Sequence, residues 1–349
     1  MAAEEEDEIL EPRRNSYFRG HHDAVRAILQ TWSSGRVPHA WLITGPRGIG
    51  KSTLAYRFAR LALSGTTPET GLFGATAPSL DMDSSSSVFR QIAASAHPDF
   101  MVLKPEVDEK TSKLRTNIVV EDVRRAVDFI HLTPALGGWR VVLVDSADEM
   151  NRNSANALLK ILEEPPKNAL LLLVSHAPGG LLPTIRSRCR RLELSPLHDG
   201  LMAELIHHYR PEMEPAEVRH LKEIAGGSIG RALQIASAGG LNLHSELSRQ
   251  LASLPTLPMA EIHAFAEKVG KSGGDSPFGL ATELLLAWLA QVIRRKATGE
   301  GSVRGSLEQW LALWEKIDGL FKRTEAVNLD RKQVWIGAMV DIAQLTAAR

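Results

Sequence analysis

The run Gly45-Pro46-Arg47-Gly48-Ile49-Gly50-Lys51-Ser52 follows the pattern G-x-x-x-x-G-K-[ST]. Glycines in such a run let the backbone turn its N–H groups toward phosphate oxygens. A helix opening at the end of the loop adds the positive end of its dipole. Gly45, Pro46, Gly48 and Gly50 are therefore read as the cradle, with Lys51 reaching the β and γ phosphates. The Ser52 hydroxyl is a ligand for Mg²⁺, and Thr53 continues the binding run. A second element, a carboxylate, fits the same chemistry. Asp145 closes the apolar run Arg140 to Val144, a placement that holds Mg²⁺ directly or through water. In a competent ATPase the following residue is glutamate, which polarises the attacking water; here it is Ser146. General-base help is worth about 10²–10⁴-fold in rate, so the pattern predicts ATP binding without efficient turnover. Asp148 and Glu149, three and four positions beyond Asp145, could substitute for that glutamate, but are read as exposed charges at a strand-to-helix turn.

The elements that must position these residues follow from apolar periodicity. A helix is predicted from His22 to about Trp32, then a strand at Ala40 to Ile43, the glycine-rich loop, and a helix carrying Leu54, Ala55, Phe58, Ala59 and Ala62. The stretch from Ser64 to Ala96, rich in Ser, Thr, Gly and Pro, is read as an irregular surface insertion. Alternation then resumes, with strands at Phe100 to Leu103, Arg140 to Val144, Ala169 to Val174 and Arg191 to Leu194. Helices lie between them at Glu121 to Ile130, at Ser154 to Leu162 (stopped by Pro165-Pro166) and near Thr184. Alternating strands and helices imply a parallel sheet covered on both faces. Beyond Pro196 the patterns are helical to the end, beginning with Leu201 to Tyr209, Ala216 to Ala225 and Ile229 to Ala236.

Composition narrows the class. The chain has 349 residues, 44% of them hydrophobic and 23% charged, which suits a soluble globular protein of two or three domains. Basic and acidic residues balance at 41 each, which argues against autonomous, salt-resistant DNA binding. Arg294-Arg295-Lys296 is read as a solvated helix face, and Trp310 with Trp314 as packing aromatics. The single cysteine, Cys189, excludes an internal disulfide and a multi-cysteine zinc site, and reads as a packed small residue. No apolar run is long enough to cross a bilayer, and the acidic start (Glu4-Glu5-Glu6-Asp7-Glu8) is unlike a signal peptide, so a cytoplasmic location is expected.

Further motifs carry a resemblance. Pro38-His39-Ala40-Trp41-Leu42 precedes the phosphate loop, and Val144-Asp145-Ser146-Ala147-Asp148-Glu149-Met150 follows it. Then come Asn156-Ala157-Leu158-Leu159-Lys160, Leu162-Glu163-Glu164-Pro165-Pro166 and Leu182-Pro183-Thr184-Ile185-Arg186-Ser187-Arg188-Cys189. Together, over about residues 17 to 197, they resemble the clamp-loader branch of the AAA+ ATPases, and within it the delta-prime family of bacterial DNA polymerase III. The helical remainder agrees mainly in length and character. The resemblance implies an α/β P-loop AAA+ domain, a parallel sheet flanked by helices, at 17–195. It implies a small helical lid at 196–243 and an all-α C-terminal collar domain at 244–349; the acidic residues ahead of the first domain are themselves read as a disordered leader, 1–16. It implies Mg²⁺ and ATP as ligands, with Ser52 and Asp145 serving the metal and Ser175 sensing the γ-phosphate, and Arg188 as an arginine finger reaching ATP on a neighbouring subunit. Implied partners are delta and gamma or tau subunits in a hetero-pentamer that loads a sliding clamp on primed DNA, with no membrane involved.

Three departures from the family pattern stand out. The stretch Ser64 to His97 holds no cysteine where many relatives carry a four-cysteine zinc module, so no zinc is expected. Ser146 replaces the water-activating glutamate. The lid motif reads Gly227-Ser228-Ile229-Gly230-Arg231, its arginine one position later than in motor members. A helix turns 100° per residue, so Arg231 is expected to point elsewhere, toward solvent or an interface. Three functions compete: a helper subunit of the polymerase holoenzyme with at most weak ATPase activity of its own, an active ATP-hydrolysing motor subunit of the same loader, and a P-loop phosphotransferase. The missing glutamate and zinc module favour the first over the second. The Ser-Arg-Cys motif and the helical C-terminal third count against the last.

Overall fold

A computed structural model describes residues 11–65, 78–105, 115, 117–237, 239–271, 277–300, 304–327 and 329–347. The chain divides into two compact units, Met1–Arg231 and Ala232–Arg349.

In the first unit, α1 (His22–Ser33) leads to β1 (Ala40–Thr44) and α2 (Lys51–Leu63). After them come α3 (Ser87–Ala93), β2 (Phe100–Leu103), α4 (Val120–His131), β3 (Arg140–Val144), α5 (Arg152–Glu163), β4 (Ala169–Ser175), α6 (Pro183–Arg188) and β5 (Arg190–Glu193). The five strands form one parallel sheet in the order β2-β3-β4-β1-β5. Every residue of β1, β3 and β4 is buried, as a sheet covered on both faces requires. Alternate residues serve opposite layers. Trp41, Ile43, Val141, Leu143, Leu170 and Leu172 pack with α1 and α2, while Leu42, Val142, Val144, Leu171 and Leu173 pack with α4, α5 and α6. The helices α7 (Asp199–Tyr209), α8 (Pro215–Ala225) and the start of α9 (Ile229–Ser237) complete this unit.

Two expectations are corrected here. The insertion read as irregular contains α3, whose Phe89 and Ile92 are buried; two apolar residues spaced i, i+3 are too short a periodic signal to register. Residues 66–77 of that stretch lie outside the described residues. The sequence places a disordered leader at 1–16, yet its described part, residues 11–16, is folded against α2. Arg60, 1% exposed, donates to the carbonyls of Asn15 and Arg13, and Arg57, 2% exposed, to that of Ser16. A buried guanidinium needs acceptors, and the backbone of this strap supplies them. Residues 1–10 lie outside the described residues.

The second unit holds α10 (Gly240–Ala252), α11 (Met259–Gly270), α12 (Phe278–Ala297), α13 (Leu307–Val327) and α14 (Arg331–Ala347). Its core is aromatic: the Trp335 ring lies 5.2 Å from Phe265 and 6.3 Å from Phe321. Trp310 is fully buried, its indole N–H donating to the Arg304 carbonyl at 2.7 Å. Arg294 and Arg295 sit exposed in the last turn of α12, where positive charge suits the carboxyl end of a helix. Among the described residues no helix is long and apolar enough to cross a membrane.

Candidate functional site

The carboxyl ends of β3, β4 and β1, neighbours in the sheet, bring Asp145, Ser175 and the glycine loop to one edge. The loop makes its turn with Gly45, Gly48 and Gly50 at φ of 144°, 73° and 100°, a region that side-chain-bearing residues rarely adopt. Lys51 is 3% exposed, and its Nζ donates to the carbonyls of Gly45 at 2.7 Å and Pro46 at 2.5 Å. Burial lowers its pKa to about 8, partly offset by Asp148 and Asp145. The Ser52 hydroxyl donates to Asp145 Oδ1 at 2.7 Å. Burial raises the Asp145 pKa above the usual carboxylate value, with the Ser52 hydroxyl, Lys104 and Lys51 opposing it.

Asp148 and Glu149 are half-buried, which corrects their reading as exposed charges. Asp148 accepts from the Ser175 hydroxyl at 2.7 Å and from the backbone N–H groups of His176 at 2.5 Å and Ala177 at 3.2 Å, tying the β3 turn to the end of β4. The Ser175 hydroxyl hydrogen is thus committed to Asp148 as a hydrogen bond. Glu149 pairs with Arg47 at 3.5 Å. Ser146 sits at φ 68°, and its hydroxyl lies 3.2 Å from His176 Nε2. Burial lowers the His176 pKa to about 4, assisted by the charges of Lys51 and Arg47, so this imidazole is neutral at neutral pH. Its Nδ1 is buried without a hydrogen-bond partner, as is Thr44 Oγ1 one residue before the loop.

A helix start closes over the loop. Gly230 N–H donates to the Gly48 carbonyl at 2.8 Å, and the Ser228 hydroxyl to the Arg47 carbonyl at 2.9 Å. A Cβ on Gly230 would lie 2.9 Å from Gly48 Cα. The position where motor members carry arginine is therefore a backbone contact, with no room for a side chain, and half-buried Arg231 follows it with its N–H on Ser228 Oγ at 3.2 Å. On the other side of the loop, His21 Nε2 contacts the Ile49 carbonyl at 2.7 Å.

Arg188 lies at the end of α6, its Nη2 2.9 Å from Glu163 Oε1 and its Nη1 donating to the Thr184 carbonyl at 3.2 Å. Cys189 is partly buried against the sheet layer that includes Leu171 and Ile185, where burial pushes its thiol up to about 12.

A Mg²⁺-nucleotide fits this donor set. The loop is preformed, a desolvated lysine and a desolvated carboxylate each gain from an opposite charge, and two buried polar atoms lack partners. Asp148, His176, Ser228 and Gly230 are not legible as a set, because their roles depend on strand order and on a contact, Ser228 to Arg47, across 181 residues of chain.

A family model described as DNA polymerase III, delta subunit, matches residues 20–198. The delta-prime subunit of Pseudomonas aeruginosa DNA polymerase III is 34% identical over 261 residues, covering 74% of this chain and 73% of that protein. The delta-prime subunit of Escherichia coli K12 is 29% identical over 230 residues, covering 66% and 64%. The tau subunit of the same organism is 30% identical over 316 residues; these cover 89% of this chain but 43% of tau, so the match spans less than half of that relative. Among solved structures, a gamma subunit-related protein of Thermotoga maritima is 19% identical, with TM-score 0.41, covering 91% of this chain and 99% of that one.

Proposed function

We propose a task for this chain from one premise: it belongs to the DNA polymerase III delta subunit family. The task is that of a delta-prime-like clamp-loader subunit in a cytoplasmic complex. It binds Mg²⁺-ATP, turns over little or none, and lends Arg188 to ATP held by a neighbouring motor subunit. Partners are delta and gamma or tau subunits in a hetero-pentamer that places a sliding clamp on primed DNA.

The observation that carries this reading is the disposition of groups around Ser146. Gly45, Gly48, Gly50, Lys51 and Ser52 would hold the nucleotide phosphates, and Ser52 with Asp145 the metal, which supplies charge neutralisation when bound. Among the described residues, no group beside them suits the activation of water. Ser146 is a hydroxyl, and its partner His176, with a pKa of about 4, is a weak base. Asp148 is occupied by three hydrogen bonds and Glu149 by Arg47. An arginine supplied in trans is worth about 10³–10⁵ in rate, so a subunit without turnover can still be needed for its neighbour's. Arg188 suits that role, being at a helix end and 37% exposed.

The test is ATP binding and steady-state hydrolysis by the purified chain, with Lys51→Ala as control. Saturable binding that Lys51→Ala abolishes, with negligible turnover, is expected. Sustained turnover lost in Lys51→Ala would overturn the reading in favour of an active motor subunit.

A further inference from the structure

Three motifs far apart in the sequence meet beneath Arg188. His39, ahead of β1, places Nε2 3.2 Å from the Leu162 carbonyl near the end of α5. Glu163 is the last residue of that helix, which Pro165-Pro166 stops. Its carboxylate lies 2.9 Å from Arg188 Nη2, while Arg188 Nη1 donates to Thr184 O at 3.2 Å. Cys189, the next residue, is partly buried against the sheet layer. Both ends of the Glu163–Arg188 pair thus stand on rigid elements.

We propose that Glu163 is the positioning residue that aims Arg188, an inference that rests on Arg188 acting in trans. A guanidinium has N–H donors in a planar fork, so Glu163 and Thr184 can engage it and still leave donors for a phosphate. Without the carboxylate, a long side chain that is 37% exposed samples many rotamers and loses that freedom only when the phosphate arrives. Held in advance, it arrives oriented. Misplacing a catalytic group by about 1 Å can cost 10²-fold, and loss of outer supporting partners elsewhere costs about 10–100-fold. Because the pair itself is largely exposed, its effect on stability is small.

The experiment measures kcat and KM for ATP hydrolysis by the complete complex, reconstituted with the motor subunits from the same genome. It uses the unaltered chain, Arg188→Ala, Glu163→Gln, Glu163→Asp and the Arg188→Ala/Glu163→Gln double variant. Glu163→Gln is expected to lower kcat about tenfold with KM and Tm unchanged. Glu163→Asp should recover part of the loss, and Glu163→Gln should add nothing to Arg188→Ala. If Arg188→Ala leaves kcat unchanged, the trans-arginine reading fails and this inference with it. If Arg188→Ala lowers kcat but Glu163→Gln stays within about twofold of the unaltered chain, or the double variant is slower than Arg188→Ala alone, the inference fails and the reading stands.

Discussion

Gly230→Ala tests the seat of α9 on the phosphate loop. The added Cβ would lie 2.9 Å from Gly48 Cα and 3.1 Å from Gly48 O, both backbone atoms that cannot rotate away. Relieving the overlap moves the helix start off the loop. Overpacking costs about 1–3 kcal/mol. The move also stretches the Gly230 N–H to Gly48 O and Ser228 Oγ to Arg47 O hydrogen bonds, 2.8 and 2.9 Å long, at about 1 kcal/mol each. Alanine returns about 0.5–1 kcal/mol of helix preference. The net is about 3 kcal/mol of destabilisation, or a fall in Tm of about 6–12 °C for a unit of this size. Gly200→Ala is a matched control: Gly200 also occupies the second position of a helix, and its added Cβ would meet nothing nearer than the His198 ring at 3.6 Å. Scanning calorimetry of both variants, with amide exchange at position 230, reads the difference. A Gly230→Ala stability within about 0.5 kcal/mol of Gly200→Ala would refute the contact as the seat of the helix.

Two further outcomes follow from buried charge. Asp99, 1% exposed, pairs with Arg140, 6% exposed, at 3.3 Å, and also accepts from the N–H groups of Ala135 at 2.8 Å and Leu136 at 3.0 Å. Asp99→Ala strands a buried guanidinium and two amides and is expected to cost about 3–5 kcal/mol; a loss under about 1 kcal/mol in denaturant titration would contradict the buried pair. Lys51 has a free-site pKa of about 8, lowered mainly by burial, and phosphate oxygens favour its charged form, so binding raises that pKa. Nucleotide affinity is therefore flat below pH about 8 and falls as pH rises above it, by up to about tenfold per unit, with proton uptake in that range. Calorimetric titration in buffers of different ionisation enthalpy measures the uptake, and a pH-independent affinity would rule it out.

Much of the molecule is legible in the chain itself. Val141 to Val144 and Ala169 to Val174 are unbroken apolar runs of strand length, because strands buried on both faces need no polar side. Pro165-Pro166 marks the end of α5 because proline cannot continue a helix. The phosphate loop is readable because its chemistry lies in consecutive residues, and the exchange of glutamate for Ser146 is visible for the same reason. What the sequence leaves open is whatever depends on neighbours in space. Asp148 reads as an exposed turn residue until β3 and β4 lie side by side and bring the Ser175 hydroxyl to its carboxylate. Gly230 reads as a misplaced motif until its amide meets Gly48, and nothing in the local pattern pairs Arg57 and Arg60 with the strap at residues 13–16 that folds over them. Glu163 and Arg188 belong to separate motifs in the sequence, and only the packing of α5 against α6 makes them a pair. Local pattern decides which segments become strand, helix and loop, since periodicity and backbone chemistry act over a few residues. Hydrogen bonds and ion pairs between distant residues exist only once the sheet has set their distances, so the tertiary structure alone decided the partners of Ser146, Asp148 and Arg188.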